Sequence, residues 1–182
     1  MDNDPAKYAA LARGKCPIHE EHLPELLARH RGKRLVFSDS LSAAVQASRA
    51  VFIAVGTPPT HDGEADLSYV DLVAREIAGA LNDYKVIVGK STVPVYTSDW
   101  VRRVMVLNGA PADLFDVASN PEFLREGTAV TDFLYPDRMS SARIRPPAPT
   151  WYERFTSRCS TAATTGGQTQ LRIQDALPSR HP

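Results

Sequence analysis

The segment "AVFIAVGTPPTHDGEADLSYV", Ala50 to Val70, decides the fold class. It opens with an almost continuous apolar run, Val51 to Val55, which is typical of a parallel strand buried on both faces. A turn rich in Gly, Pro, Thr and Asp follows. A helix is predicted over Leu67 to Leu81, because apolar residues recur there at spacings of three and four: Val70, Val73, Ile77 and Leu81. Ser68 precedes these apolar residues and is a candidate N-cap.

Three other short runs rich in β-branched and aromatic residues predict further strands. They are "RLVF" (Arg34 to Phe37), "KVIVG" (Lys85 to Gly89) and "LFDVAS" (Leu114 to Ser119). Because helical patterns alternate with these runs, the sequence predicts an α/β fold with a parallel sheet. A chain of 182 residues is long enough for one such domain.

Three loops are expected at the carboxyl ends of these strands, where open parallel sheets bind their ligands. They read "GTPPTHDGEADLS", "GKSTVPVYTSDW" and "SNPEFLREG". Gly, Pro, Asn and Ser dominate ordinary turns, so one such loop carries little weight. Three on one rim favour a binding site.

Composition excludes several classes of function. The formal net charge is zero, which disfavours a nucleic-acid partner. No run approaches the roughly 20 apolar residues of a membrane span, and the acidic "MDNDPAKYAALARGK" does not resemble a secretory signal, so a cytoplasmic location is expected. The two cysteines, Cys16 and Cys159, form neither a disulfide framework nor a zinc set and are interpreted as incidental thiols, so no metal is expected.

Four motifs in order carry a family resemblance: "GKCPIHEEHLPELL", "VFIAVGTPPTHDGEADLSYVDLVAREI", "KVIVGKSTVPV" and "SNPEFLREGTAVTDFLYPDR". From Asp2 to Arg138 the sequence resembles the NAD-binding domain of the UDP-glucose/GDP-mannose dehydrogenase family. The resemblance implies oxidation of the C6 alcohol of a nucleotide sugar to a carboxylate with reduction of two NAD. UDP-glucose is favoured as the sugar nucleotide because the loop "GTPPTHDGEADLSYV" resembles the branch of the family that uses it.

The resemblance also assigns the acidic pair in "PEFLRE". Glu122 matches the catalytic glutamate of the family, a general base that activates water on a thioester intermediate, and Glu126 matches a residue beside the nicotinamide. Thr92 would help to hold that water. Without the family, both glutamates would be interpreted as first-turn helix acids favoured by the helix dipole.

Cofactor and substrate contacts follow from the same resemblance. Asp2 would accept hydrogen bonds from the adenosine ribose, which is typical of NAD sites, and Lys7 would touch the same group. Two loops would lie along the dinucleotide and near the nicotinamide: Val55, Gly56, Thr57 and Pro58, and Ser91, Thr92 and Val93. The backbone of "EFLRE" would contact the sugar nucleotide: Glu122, Phe123, Leu124, Arg125 and Glu126. Tyr96 departs from the family, which usually has Gly after "STVPV".

The sequence departs from the family at both ends. It contains no GxGxxG turn, so the expected fold is a partial Rossmann-like, doubly wound parallel sheet lacking its first two strands, which would lie at the centre. "RLVF" would then stand apart from "AVFIAVG", leaving unpaired backbone groups. A partial NAD-binding domain is expected over residues 1–138.

Residues 139–182 lose the family character. The segment is rich in Pro, Ser and Thr and has six arginines and no lysine. These are Arg143, Arg145, Arg154, Arg158, Arg172 and Arg180. A basic nucleic-acid-binding arm is one interpretation. A shifted reading frame that encodes a disordered tail is preferred, and Cys159 in "SRCSTA" is not expected to be the family's nucleophile.

Two functions remain open from the sequence. One is a catalytically incomplete NAD-dependent nucleotide-sugar dehydrogenase, inactive as an isolated chain, whose partner is its sugar-nucleotide substrate. The alternative is a non-catalytic nucleotide-binding or docking module completed by a separate chain. A family-like homo-oligomer is not expected without the missing domains.

Overall fold

A three-stranded parallel sheet organises the chain. The structure, a computed structural model, describes residues 2, 4–94, 96–121 and 123–135. Strands β1 (Ala50–Ile53), β2 (Lys85–Gly89) and β3 (Phe115–Ser119) lie in the order β1-β2-β3. All neighbours are parallel, with Val51 opposite Ile87 and Ile87 opposite Val117. The predicted Rossmann-like α/β fold is confirmed.

Six helices accompany the strands in the described part of the chain. They are α1 (Pro5–Ala12), α2 (Leu23–His30), α3 (Leu41–Gln46), α4 (Ser68–Ala80), α5 (Thr97–Leu107) and α6 (Ala129–Leu134). Helix α4 connects β1 to β2, and α5 connects β2 to β3, as the alternating pattern predicts. The parallel pairing therefore comes from two successive βαβ units.

The main core lies between one face of the sheet and helices α3, α4 and α5. Its buried members include Ile53, Ile77, Ile87, Met105 and Phe115. On the opposite face, a smaller cluster contains Val86, Val88 and Ala118, with Tyr84 packed against it. Residues of β2 are therefore buried on both faces, as near-continuous hydrophobicity predicts for a central parallel strand.

Strand β1 is shorter and more exposed than predicted. It ends at Ile53, so Ala54 to Gly56 belong to the following loop, and Phe52 is 42% exposed. The physical reason is position in the sheet: among the described residues β1 pairs with β2 alone. The prediction that Val51 to Val55 form a strand buried on both faces is thus wrong, and β2 is the strand that is buried in this way.

The predicted strand "RLVF" is wrong. Leu35 makes only an isolated bridge to Arg31, and the amides of Arg34 and Leu35 both donate to the carbonyl of His30. Val36 is 75% exposed. With no neighbouring strand among the described residues, the segment turns back on the end of α2 instead of joining the sheet.

The cap of α4 also differs from the prediction. The helix begins at Ser68, and the Ser68 amide donates to the Asp66 carboxylate at 2.9 Å, so Asp66 supplies the acceptor that Ser68 was expected to supply. The helix itself is confirmed, with Val70 and Ile77 buried.

The predicted tail, residues 139–182, lies outside the described residues. The predicted domain boundary after Arg138 therefore stays a prediction.

Candidate functional site

The three predicted loops leave from the same edge of the sheet. The Lys90 amide donates to the Ile53 carbonyl at 2.8 Å, and the Asn120 amide donates to the Gly89 carbonyl at 2.8 Å. These bonds extend the parallel ladders one residue beyond the strands. The first residues of the second and third loops are consequently fixed against the neighbouring strand.

Two hydroxyl groups join the first loop to the second. Ser91 Oγ donates to the Val55 carbonyl at 2.6 Å, and Thr57 Oγ1 donates to the Thr92 carbonyl at 3.1 Å. The two candidate cofactor segments, residues 55–58 and 91–93, therefore lie side by side. The side chain of Thr92 is exposed, so its hydroxyl can reach a bound molecule.

The first loop closes on itself. The Asp66 amide donates to the Pro58 carbonyl at 2.9 Å, and the Thr60 amide donates to the Glu64 carbonyl at 2.7 Å. Gly63 has a φ of +80°, a left-handed conformation that glycine adopts without strain. The hydrogen bonds from Ser68 lower the pKa of Asp66. Gly56 and Pro58 stay exposed at the base of this closed loop.

The third loop is held by an acid on α6. The Arg125 amide donates to Asp132 Oδ2 at 3.0 Å, and Arg125 Nη2 donates to Asp132 Oδ1 at 2.7 Å. These bonds lower the pKa of Asp132 to about 2. Phe123, Leu124 and Glu126 are exposed beside this ion pair.

The predicted catalytic base, Glu122, lies outside the described residues. Its role and the roles of its neighbours in the "EFLRE" segment stay predictions.

The N-terminal candidates sit at the start of α1. Asp2 Oδ1 accepts a hydrogen bond from the Asp4 amide at 2.9 Å, which uses one of its two carboxylate oxygens. Asp4 in turn caps α1 by accepting from the amides of Ala6 and Lys7. The side chain of Lys7 is exposed on the first turn. The assignment of Asp2 and Lys7 to the ribose stays a prediction.

The sequence argument missed one polar pair at the rim. Lys90 Nζ donates to Asn120 Oδ1 at 3.4 Å and so spans the second and third loops. Their positions in the sequence could have indicated this pair, because Lys90 and Asn120 each directly follow the last residue of a strand. This pair places a positive charge between the two loops.

A small cavity lies beneath the strand ends, between the sheet and helices α4 and α5. The Thr97 hydroxyl lies at its wall, and within the described part of the chain this is a buried side-chain oxygen without a hydrogen-bond partner. The rest of the lining is mainly apolar, with Ile53, Val70, Val101 and Val117.

The donor chemistry of the rim fits part of a dinucleotide. The exposed Thr92 hydroxyl and the main-chain groups of residues 55–58 and 91–93 are hydrogen-bonding groups that suit the carboxamide and ribose of a nicotinamide nucleotide. Among the residues described, no group of three or more His, Cys, Asp or Glu side chains could hold a metal ion.

The parallel βαβαβ sheet with its ligand rim defines a dinucleotide-binding α/β domain. The model of the UDP-glucose/GDP-mannose dehydrogenase family, NAD binding domain, matches residues 1–142. The chain belongs to this family, and the cofactor of the matched domain is NAD.

Curated relatives agree. The chain is 52% identical over 141 residues to UDP-glucose 6-dehydrogenase of Rhizobium meliloti, a match covering 76% of this chain and 32% of that protein. It is 44% identical over 138 residues to UDP-glucose 6-dehydrogenase TuaD of Bacillus subtilis, covering 75% and 30%. The chain therefore matches about a third of the length of these relatives.

Solved structures show the same fold. A UDP-glucose dehydrogenase from Pyrobaculum islandicum superimposes with a TM-score of 0.79 at 35% identity, covering 95% of this chain and 40% of that one. A GDP-mannose dehydrogenase from Pseudomonas aeruginosa gives a TM-score of 0.82 at 27% identity, covering 97% and 41%. Within the described residues, every helix is too short or too polar to cross a membrane.

Proposed function

We propose that this chain forms the nicotinamide and ribose side of the NAD site, and part of the sugar-nucleotide site, of an enzyme that oxidises the C6 alcohol of UDP-glucose to a carboxylate. The observation that carries the proposal is the pair of hydroxyl bonds joining residues 55–58 to residues 91–93. These bonds align two loops at the sheet edge where α/β folds bind dinucleotides.

The cofactor-binding residues would act by charge and shape. The Asp2 carboxylate accepts hydrogen bonds from the hydroxyl groups of the adenosine ribose and repels a 2′-phosphate, and it thereby selects NAD over its phosphorylated relative. Lys7 contacts the same ribose. Val55 to Pro58 and Ser91 to Val93 present backbone groups along the dinucleotide, with Glu126 beside the nicotinamide. Bound NAD would supply the hydride acceptor.

The substrate-side residues would position the sugar and water. Glu122 acts as the general base for water, and the exposed Thr92 hydroxyl orients that water. The backbone from Glu122 to Glu126 contacts the sugar nucleotide. Within this stretch the Arg125 amide donates to Asp132 and the Arg125 carbonyl accepts from the Thr128 amide at 3.3 Å, so Arg125 holds the shape of the loop.

A complementation experiment tests the NAD site. A family-like piece carrying a strand, a glycine-rich turn, a helix and a second strand would pair with the edge of β1 and present a helix N-terminus to the pyrophosphate. Titration calorimetry of the assembled pair with NAD should show binding that neither piece shows alone. Asp2→Ala should weaken this binding and Cys159→Ser should leave it unchanged. Confirmed assembly without NAD heat would refute the proposal.

Turnover by the purified 182-residue polypeptide is expected to be absent. Its sequence holds neither a GxGxxG turn nor a glycine-rich cysteine motif, so the pyrophosphate lacks its cradle and the covalent step lacks a thiolate. NADH formation from UDP-glucose and NAD is followed by absorbance. Turnover above that of a Glu122→Ala variant would contradict the expectation.

The second candidate function is a non-catalytic module that docks with a separate chain. It is favoured by the edge position of β1, which pairs with β2 alone among the described residues. A partner that added a strand there, yet gave no NAD binding, would favour this candidate. The cytoplasmic location expected from the sequence stays a proposal.

A further inference from the structure

The carboxylate of Glu20 holds the end of the third loop. Glu20 Oε1 accepts from the Gly127 amide at 2.8 Å, and Glu20 Oε2 accepts from the Ala129 amide at 3.0 Å. In the sequence, Glu20 lies 107 residues from Gly127 and 109 residues from Ala129. One side chain from the N-terminal part thus binds two backbone donors next to the "EFLRE" segment.

The Glu20 carboxylate supplies hydrogen-bond acceptors that residues close in sequence do not supply. Helix α6 begins at Ala129, and its N-cap residue, Thr128, makes no side-chain cap hydrogen bond. The first amides of a helix lack intrahelical partners and prefer an anionic acceptor. Gly127 has a φ of +85°, so the chain turns sharply where Glu20 binds it. Glu20 therefore supplies, from a distant part of the chain, an anionic acceptor for the first helical amide, that of Ala129, and for the Gly127 amide before the helix.

The segment that carries Glu20 is itself fixed. Arg31 Nη1 donates to the Ala12 carbonyl at 2.8 Å, which ties the end of α1 to the end of α2 on either side of the Glu20 loop. The Leu23 amide donates to the Glu20 carbonyl at 3.3 Å, which closes a turn directly after Glu20. The carboxylate is thus presented from a constrained turn.

We propose that Glu20 is a positioning residue for the sugar-nucleotide loop. Its two hydrogen bonds, the Asn120 bond to Gly89 and the Arg125 ion pair with Asp132 fix the loop at its end, its start and its middle. Phe123, Leu124 and Glu126, which are exposed residues, lie between these fixed points of the loop. This role rests on the proposed function, because it presupposes that this loop binds a nucleotide sugar.

Amide hydrogen exchange on the full chain tests the contact without any ligand. Glu20→Ala should speed exchange at Gly127 and Ala129 by about tenfold, which corresponds to about 1.4 kcal/mol. Glu20→Gln keeps one acceptor oxygen and should release only one of the two amides. The matched control is Glu21→Ala, which changes the exposed neighbour of Glu20. Exchange at the Ile87 amide of β2 reports whether the fold is intact. Unchanged exchange at both loop amides in Glu20→Ala would overturn the contact.

A titration with UDP-glucose then tests the positioning role. Binding is followed by the NMR shifts of the Phe123, Leu124 and Glu126 amides. We expect about tenfold weaker binding in Glu20→Ala, a smaller loss in Glu20→Gln and no change in Glu21→Ala. Equal affinity in Glu20→Ala and the unmodified chain, despite faster exchange, would overturn the role. Failure of the unmodified chain to bind UDP-glucose would overturn this role and the proposal that the chain alone supplies sugar-nucleotide contacts. The NAD site is tested separately by complementation, and the exchange result would still stand for the contact itself.

Discussion

The Ser91 hydroxyl donates a 2.6 Å hydrogen bond to the carbonyl oxygen of Val55, and so ties the loop after β2 to the loop after β1. Both residues are half-buried, so removing the donor leaves a carbonyl with reduced access to water. Ser91→Ala should lower the free energy of unfolding by about 1 kcal/mol. Urea denaturation measures this loss.

Ser42→Ala is the matched control for that measurement. Ser42 is exposed on α3, so its substitution should change stability by less than about 0.5 kcal/mol. Equal effects from the two alanine variants would show that the bond between Ser91 and Val55 does not stabilise the rim.

The ion pair between Arg125 and Asp132 should make the third loop sensitive to acid. Arg125 lowers the pKa of Asp132 from 3.8 to about 2. A carboxyl group whose pKa is lowered by folding stabilises the folded state above its ordinary pKa, and this contribution is lost as pH falls from about 4 towards 2. The Arg125 amide should therefore exchange faster, relative to its intrinsic rate, in this window.

Asp132→Asn should abolish that pH dependence, because the neutral amide does not titrate. Asp113→Asn, at an exposed turn before β3, should retain it. A pH profile of Arg125 that is the same in the Asp132→Asn variant and in the unmodified chain would contradict the assignment.

His22 should carry backbone strain. Its φ is 64°, and among the described residues it is the one non-glycine position with positive φ. Glycine adopts this conformation without the strain that histidine carries, and this raises the free energy of unfolding. Glycine also has more freedom in the unfolded chain, and this offsets part of the gain. His22→Gly should therefore raise the free energy of unfolding by about 0.5 to 1 kcal/mol. Thermal and urea unfolding measure the change.

The control uses the same substitution at a helical position. His30 ends α2, so His30→Gly should lower stability by up to about 1 kcal/mol. Destabilisation by both variants would show that the left-handed backbone at His22 is not strained.

The sequence predicts the fold best where local pattern and tertiary surroundings agree. The strand "KVIVG" and helix α4 match their predicted bounds closely, because β2 is central and the buried residues of α4 share one core with Ile87 of β2. "RLVF" has the composition of a strand, but strand formation depends on a neighbour, and its composition carries no information about whether one is present. The same dependence explains why Phe52 is exposed on an apolar strand.

The sequence predicts the motifs of the candidate site but not the contacts between its residues. The three strand-end loops are visible in the sequence, because Gly, Pro and polar residues interrupt the apolar runs. Glu20 gives no such signal, since its partners are backbone amides more than 100 residues away. Lys90 and Asn120 follow strands directly, yet their pairing depends on β2 and β3 being adjacent.

The buried hydroxyl of Thr97 should be a local source of instability. Its residue is 4% exposed, and its Oγ1 has no hydrogen-bond partner in the part of the chain that the structure describes. A buried hydroxyl without a partner carries a desolvation cost of about 1 to 3 kcal/mol. Valine has nearly the same shape and lacks the oxygen, so Thr97→Val should raise the free energy of unfolding by about 1 kcal/mol.

Thr131→Val, on the exposed surface of α6, should leave stability unchanged and controls for the change in composition. A loss of stability in Thr97→Val would instead mean that the hydroxyl has a partner in solution, such as a water molecule in the adjoining cavity, and the crystal structure of the variant would show whether that water is displaced.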